Sequence, residues 1–315
     1  MTVSSVKTGF DGISFLAGNY AYIPSVRGLF AGGANGGNSN VIDYINILSA
    51  GNATDFGDLQ SAKPYLSSCS SSTRGLFAGG TAQINVIDYV TLATTGNASD
   101  FGDLTAGAQN GSGCSSSTRG LFGYGLSSNT YSNVIEYVTI ATTGNATDFG
   151  DLTVARYGHT GLSSTTRGVF AGGNTGSKSN VIDYVTIAST GNATDFGDLT
   201  VSRDGPAGAS SSTRGLFGGG NDASYSNVID YITIASAGNA TDFGDLNNAI
   251  IAGGACSSTL LAVFGGGAIS AGSGETNVID YVTIATTGNA IDFGDLTAAR
   301  SDLAACSDGH GGLAA

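Results

Sequence analysis

Short apolar segments alternate along the chain with runs rich in glycine, serine, threonine and asparagine. One stretch of this pattern predicts four strands, at residues 159–163, 168–171, 181–188 and 196–199. The third of these segments, VIDYVTIA, carries apolar residues on both faces of the strand. A strand of this kind is typical of a sheet that is packed between two other layers.

The same pattern recurs six times. Each unit carries the pentad NVIDY, once as NVIEY, with an F-[AG]-x-G motif before it and DFGDL after it. The pentads begin at Asn40, Asn85, Asn133, Asn180, Asn227 and Asn277, at spacings of 45, 48, 47, 47 and 50 residues. A period of this length with four short strands predicts an all-β fold, a six-bladed β-propeller of four-stranded blades.

The spacing also predicts how the ring closes. Ten residues separate the leucine of each DFGDL from a small-residue position in the next first strand, and the last such pair is Leu296 and Cys306. The C-terminal segment is therefore expected to be the first strand of blade 1 and to close the ring. This leaves residues 1–25 as an N-terminal arm or anchor and residues 26–315 as the propeller. In the alternative, residues 16–23 form that inner strand and the C-terminus is a tail.

The order of motifs resembles the kelch repeat. An apolar strand ending in Gly-Gly precedes a strand with tyrosine and one with an aromatic residue, and arginine closes the unit at Arg156, Arg203 and Arg300. The third unit departs from the pattern with Tyr124-Gly125, and phenylalanine stands where kelch repeats usually carry tryptophan. The resemblance implies kelch-like blades.

The wording of the repeat, NVIDYVTIATTGNATDFGDLT, also resembles repeat proteins carried by marine bacteriophages, including those of cyanobacteria. This second resemblance implies a place on a virus particle, the virion, rather than an enzymatic role.

Composition and charge exclude several classes of protein. The net charge is −13 with only 11 lysines and arginines, so a nucleic-acid partner is not expected. No apolar run is long enough to span a membrane, and MTVSSVKTGFDGISF lacks the features of a signal peptide. We therefore expect synthesis in a host cytoplasm without Sec export, which is compatible with a virion released by lysis.

No residue pattern indicates catalysis, a cofactor or a metal. Cys69, Cys114, Cys256 and Cys306 share one repeat position, which favours buried free thiols over disulfides. The recurrent set Asn192, Asp195 and Asp198 lacks calcium-loop spacing, and we interpret it, like the N-A-[ST] tripeptides, as turn structure. DFG occurs without a kinase phosphate loop, and the two histidines have no recognisable partners.

Variation between the units is confined to two of the four connections. The first-to-second turn stays near SSSTRG and the third-to-fourth turn near TTGNATD, and in a propeller both lie on one side, the uniform face. The other two connections vary and lie on the opposite, diversified face. Loop drift and ligand recognition both explain this variation. The candidate binding residues on the diversified face are Lys63, Tyr65, Tyr131, Arg156, Tyr157, His159, Lys178, Arg203, Asp204 and Tyr225.

The favoured function is that of a non-enzymatic structural protein on the tail or capsid surface of a bacteriophage. Its expected partners are other virion proteins and a glycan or protein at the host surface. One alternative is a soluble kelch-type module that binds a protein partner. Another is a propeller hydrolase or oxidase.

Overall fold

Six four-stranded antiparallel sheets form the blades of a β-propeller in the computed structural model, which describes residues 26–270 and 274–313. From the inner to the outer strand, the blades are Ala304–Ser307, Arg27–Ala31, Val41–Asn46 and Thr54–Asp58 (blade 1); Ser67–Ser70, Arg74–Ala78, Val86–Thr91 and Ser99–Asp103 (blade 2); Ser112–Ser115, Arg119–Gly123, Val134–Thr139 and Thr147–Asp151 (blade 3); Thr160–Ser163, Arg167–Ala171, Val181–Thr186 and Thr194–Asp198 (blade 4); Ala207–Ser210, Arg214–Gly218, Ser226–Thr233 and Thr241–Ile250 (blade 5); and Gly254–Ser257, Leu261–Gly265, Val278–Thr283 and Ile291–Asp295 (blade 6). This confirms the all-β, six-bladed prediction, and the four-stranded blades are consistent with a kelch-like repeat fold.

Smaller elements lie in the connections between second and third strands. Blade 2 has a 3-10 turn there, blade 3 a short hairpin and blade 6 another hairpin. Their bounds are Thr81–Gln83, Leu126–Ser127 with Thr130–Tyr131, and Ala268–Ser270 with Gly274–Glu275. These elements add to the differences between blades on the diversified face.

The C-terminal strand closes the ring, as the sequence predicts. Ala304–Ser307 pairs with Arg27–Ala31, and Cys306 lies opposite Leu29. The inner strand of blade 1 thus comes from the end of the chain and its other three strands from near the beginning. The predicted arm, residues 1–25, and the alternative strand at residues 16–23 lie outside the described residues.

Adjacent blades are complementary in side-chain volume at one repeat position. A Cβ added to Gly120, on the second strand of blade 3, would lie only 2.4 Å from Cys69 Sγ on the inner strand of blade 2. Leu162, on the inner strand of blade 4, likewise leaves room only for glycine in the next blade, because a Cβ on Gly215 would lie 2.7 Å from Leu162 Cδ1. Blade 5 instead has the smaller Ala209, and here the next blade carries Ala262 in place of glycine, within the same core cluster.

Serines at the ends of the inner strands form a closed hydrogen-bonded ring, the serine ring. Each hydroxyl donates to the backbone carbonyl of the equivalent serine in the preceding blade, at 2.6–2.8 Å. The six members are Ser70, Ser115, Ser163, Ser210, Ser257 and Ser307. Since the inner strands have no strand partner on the axis side, these bonds satisfy carbonyls that would otherwise be buried without a partner.

A second ring of bonds joins the blades near their outer strands. The backbone N–H of Asp151 donates to Asn192 Oδ1 of the next blade at 3.1 Å, and every seam has an equivalent bond. Asn289, which is followed by Ala-Ile and is in no N-A-[ST] tripeptide, does the same. The asparagines are therefore turn residues, as expected, that also clamp the neighbouring blade.

Close approach of neighbouring blades also explains why the DFG motif needs a glycine. Gly197 has a φ of 145°, and a Cβ there would lie 2.5 Å from Gly238 O in the turn of the next blade. The motif thus serves packing between blades.

Arginine side chains bridge five of the seams on the uniform face. Arg74 Nη1 donates to Ile140 O of the next blade at 3.0 Å, and the guanidinium carbon lies 4.8 Å from the Tyr89 ring centroid. Equivalent contacts recur in four other blades. Blade 6 carries Leu261 at this position.

The volume match predicts a specific coupling between two substitutions. Ala209→Cys alone should overpack against Ala262 and lower the free energy of unfolding by about 1–3 kcal/mol. Adding Ala262→Gly should recover most of this loss, giving a favourable coupling of about 1–2 kcal/mol in urea unfolding.

Ala209→Cys with Ala78→Gly, on the far side of the ring, is the matched control and should be additive within about 0.5 kcal/mol. Equal coupling in the two double variants would contradict the volume match.

Candidate functional site

The two variable connections meet on the diversified face and pair with each other. Tyr157, between blades 3 and 4, forms a β-bridge with Asn174, in the second-to-third connection of blade 4. Asp204 with Asn221, and Ile251 with Ala268, make the equivalent bridges one and two blades further on. The loops are thus held by backbone bonds, which leaves their side chains free to differ.

Six residues of the blade-to-blade loops surround the mouth of the central channel as a closed ring, the mouth ring. Each backbone N–H donates to the carbonyl of its counterpart in the preceding blade, at 2.7–3.1 Å. All six residues have left-handed φ angles between 55° and 66°. The members are Tyr65, Asn110, Gly158, Gly205, Ala252 and Asp302.

The mouth ring is uniform in its backbone and different in its side chains. Gly158 and Gly205 adopt the left-handed conformation without penalty, whereas Tyr65, at φ 66°, is a bulky residue in a region that costs about 1–2 kcal/mol. At the half-buried position of Tyr65, the backbone conformation would therefore be more favourable with glycine than with tyrosine. Backbone strain of this kind concentrates at functional sites.

Inside the mouth ring lies a cavity of about 130 Å³. The residues that line it include Tyr65, Asn110 and Asp302 of the mouth ring and Ser68 and Ser112 of the inner strands. Burial raises the pKa of Asp302 to about 6, against an opposing hydrogen bond from Ser301. The Asp302 charge, followed by burial, raises the pKa of Tyr65, which places these two groups close together.

The other end of the channel is closed by the chain itself. His310 Nε2 lies 3.1 Å from Ser70 O, and its Nδ1 accepts the N–H of Gly312 at 3.1 Å, so Nε2 carries the proton. Gly311 N donates to Ser210 O across the axis at 2.9 Å. Burial lowers the pKa of His310 to about 4, so the plug is neutral near pH 7. Among the described residues, this segment blocks the channel at the uniform face and leaves its mouth on the diversified face for a ligand.

Three of the predicted binding residues are interior. Lys63, Arg156 and Arg203 are at most 1% exposed. Their charges meet buried aspartates of the third strands: Lys63 with Asp88 at 2.9 Å, Arg156 with Asp183 at 3.0 Å, and Arg203 with Asp230 at 2.8 Å. Arg300 and Asp43 form a fourth such pair at 3.0 Å. These cations neutralise carboxylates inside the blades and do not face solvent.

The buried acidic residue of each pentad was not anticipated from the sequence. The sequence does contain evidence for the pairs. Four of the six units have a cation at one loop position and an aspartate in the next pentad around the ring. Blade 3 has Ala108 at the cation position, and there Glu136 bonds the Thr105 hydroxyl and lies beside the buried Tyr124. Burial and Glu136 raise the pKa of Tyr124.

In blade 6 an asparagine, and not a cation, bonds the buried carboxylate. Ile250 replaces the cation, and Asn247 donates to both carboxylate oxygens of Asp280, at 2.6 and 3.1 Å. Burial still raises the pKa of Asp280, against the opposing hydrogen bonds from Asn247.

His159 is also interior. Its ring is 4% exposed and stacks on Phe170 with 5.8 Å between centroids, and Nδ1 lies 3.5 Å from Ser112 Oγ. Burial, followed by the Arg156 charge, lowers the pKa of His159 to about 3, so the imidazole is neutral near pH 7.

The other predicted residues outside the mouth ring lie nearer the surface, although Asp204 is buried at 7% exposure. Tyr131 is 42% exposed, and its ring centroid lies 5.3 Å from that of Tyr157. Burial, followed by the Asp204 charge, raises the pKa of Tyr157, so the aromatic pair adjoins the ion pair of Lys178 and Asp204, whose Nζ and Oδ1 atoms are 2.5 Å apart. Tyr225 is half-buried in the second-to-third connection of blade 5. We call Tyr131, Tyr157, Lys178 and Asp204 the tyrosine patch.

The four cysteines are buried free thiols, as predicted. Burial raises the pKa of Cys114 and of Cys306 to about 12, which leaves them unreactive near neutral pH. Within residues 26–270 and 274–313, no three His, Cys, Asp or Glu side chains group closely enough to hold a metal ion. The same part of the chain contains no helix long and apolar enough to cross a membrane.

Comparison with known proteins assigns no family. No protein-family model matches the chain, and a search of curated proteins finds no similar sequence.

The buried pairs predict a large effect of removing one cation. Arg203→Ile, which copies the residue of blade 6, leaves Asp230 with only the Thr200 hydroxyl and N–H and should lower the free energy of unfolding by about 3–5 kcal/mol. Adding Thr200→Asn copies Asn247 as well and should recover about 1–3 kcal/mol in urea unfolding.

The partly exposed pair serves as the control. Lys178→Ile should cost less than about 1 kcal/mol. An equally small cost for Arg203→Ile would show that the interior pairs do not support the blades.

Proposed function

We propose that the protein is a non-enzymatic recognition scaffold that binds its partner through the diversified face. The observation that carries the proposal is the difference between the two faces. On the uniform face the seams repeat the same bonds around the ring, and the channel is plugged by His310. On the other face the channel is open and the side chains differ from blade to blade.

The tyrosine patch supports a binding role for this face. Tyr131 and Tyr157 supply rigid aromatic area at a low cost in conformational entropy, which is the property that makes tyrosine common in binding sites. Lys178 and Asp204 add a donor and an acceptor beside the rings. A host-surface glycan or protein fits this combination, since both offer apolar faces next to hydrogen-bonding groups.

We further propose that the scaffold is carried on a bacteriophage particle, at the tail or capsid surface, with residues 1–25 as its anchor among other virion proteins. The support is the wording of the repeat, which resembles that of marine phage proteins. The alternative is a soluble kelch-type module that uses the same face on a protein partner. A propeller hydrolase or oxidase is less well supported, because His159 is buried, stacks on Phe170 and is neutral near pH 7.

Binding through the tyrosine patch is tested on an array of immobilised glycans and host-surface proteins. Tyr131→Ser with Tyr157→Ser should weaken binding at least about tenfold, because the aromatic contact area is lost. Leu260→Thr with Ile291→Thr changes two exposed residues of the uniform face, 61% and 59% exposed, and should leave binding unchanged. Equal loss in both double variants, or binding lost only in the second, would contradict the assignment of faces.

The location is tested by mass spectrometry of purified particles from cells that express the chain during infection. The protein should be present in the particles at a fixed copy number and should be lost from them when residues 2–25 are deleted. Its absence from particles would favour the soluble module. Normal copy number after the deletion would exclude the anchor.

A further inference from the structure

Tyr65 occupies a position that does not favour tyrosine. Its φ of 66° is left-handed, as are those of its five counterparts around the mouth ring, two of which are glycine. The backbone bonds of the ring need no side chain, because N–H and carbonyl groups make all of them. The hydrogen bonds of the mouth ring therefore do not depend on the Tyr65 side chain, and Tyr65 is one of the residues that line the cavity at the channel mouth.

The polar side chains of the mouth ring are clustered on one side. Asp302, Tyr65 and Asn110 are consecutive members, since Tyr65 N donates to Asp302 O at 2.9 Å and Asn110 N to Tyr65 O at 3.1 Å. The opposite half consists of Gly158, Gly205 and Ala252, which leave the peptide ring bare. The cavity is thus lined by an aromatic, an amide and a carboxyl residue on one side of the mouth ring and by glycine and alanine on the other.

The charges around the cavity do not suit an anion. Every described lysine and arginine of the diversified face is committed to a carboxylate: Lys63, Arg156, Arg203 and Arg300 in the blade interiors, and Lys178 with Asp204. The one ionisable acid in the wall, Asp302, is partly buried. Donors and acceptors of this kind suit hydroxyl groups.

The size of the cavity limits the ligand further. Its volume of about 130 Å³ is below the roughly 300–1,000 Å³ of sites for drug-sized molecules. A cavity of this size can take part of one six-membered sugar ring, with the rest of the ring at the open mouth, and is too small for a nucleotide or a peptide chain.

We propose that the channel mouth binds one neutral sugar ring, which stacks on Tyr65 and bonds through its hydroxyls to Asp302 and Asn110. This inference rests on the proposed recognition function and names a site for it that is separate from the tyrosine patch. The strain at Tyr65 is retained because the side chain contacts the sugar.

The test is ligand-observed saturation-transfer NMR with the full chain and the methyl glycosides of glucose, galactose, mannose and N-acetylglucosamine at millimolar concentration. At least one glycoside should receive saturation from the protein. Tyr65→Gly should reduce that transfer about tenfold, the effect of losing a central contact residue, while its melting temperature is no lower than that of the unsubstituted protein.

Ala252→Gly makes the same change of backbone preference in the mouth ring and should leave the transfer intact. Two further probes, the methyl glycoside of N-acetylneuraminic acid and putrescine, carry a negative and a positive charge. No transfer to any neutral glycoside, transfer unchanged in Tyr65→Gly, or transfer to a charged probe alone would each overturn the proposal.

The outcomes separate this site from the broader function. If array binding is lost in the Tyr131 and Tyr157 double variant while no neutral glycoside receives saturation, the sugar site is refuted and the recognition face stands. If sugar transfer depends on Tyr65 while no array binding is found, the mouth site stands without the tyrosine patch.

Discussion

The propeller depends on the hydrogen bonds that the inner strands make to one another around the axis. An inner strand has a partner on one side only, so its carbonyls on the other side must find donors near the axis. The serine ring supplies them, with one hydroxyl per blade at 2.6–2.8 Å. The ring is complete only when Ser307 is in place, because Ser70 donates to its carbonyl and Ser307 donates to Ser257. The two ends of the described chain are thereby joined in one cooperative unit.

The same logic explains why one face is free to vary. The seams are bonded at the serine ring, at the asparagine clamps and, in five blades, by an arginine on the uniform face. On the diversified face the mouth ring uses backbone groups alone, so a change of side chain breaks none of the bonds of that ring. A rigid frame with interchangeable side chains at one end is the arrangement in which loops usually carry recognition.

Much of the fold could be predicted because each unit repeats the same strand and turn motifs. The period gave the number of blades, and the ten-residue interval from Leu296 to Cys306 gave the closure. The candidate site was harder to predict, because the sequence does not show whether a charged residue in a variable loop is solvated or buried. Arg203 and Asp230 are 27 residues apart along the chain and meet only when the blade is folded. A comparison of the units with one another would have indicated the buried pairs. Blades 3 and 6 have an uncharged residue at the cation position, and the residues around their acidic side chain differ as well.

The strain at Tyr65 lay beyond sequence reasoning altogether. The repeat phase aligns Tyr65 with Gly158 and Gly205, but nothing in the string KPYLSS marks a left-handed residue, and glycine in two of six units does not show that the position is left-handed. The closing strand is the more basic claim, and hydrogen exchange monitored by mass spectrometry tests it most directly. A closed ring predicts that the amides of residues 304–307 are protected to within about 1 kcal/mol of those of residues 160–163, because both belong to one cooperative unit. Rapid exchange at residues 304–307 beside full protection at 160–163 would contradict closure by the C-terminal strand.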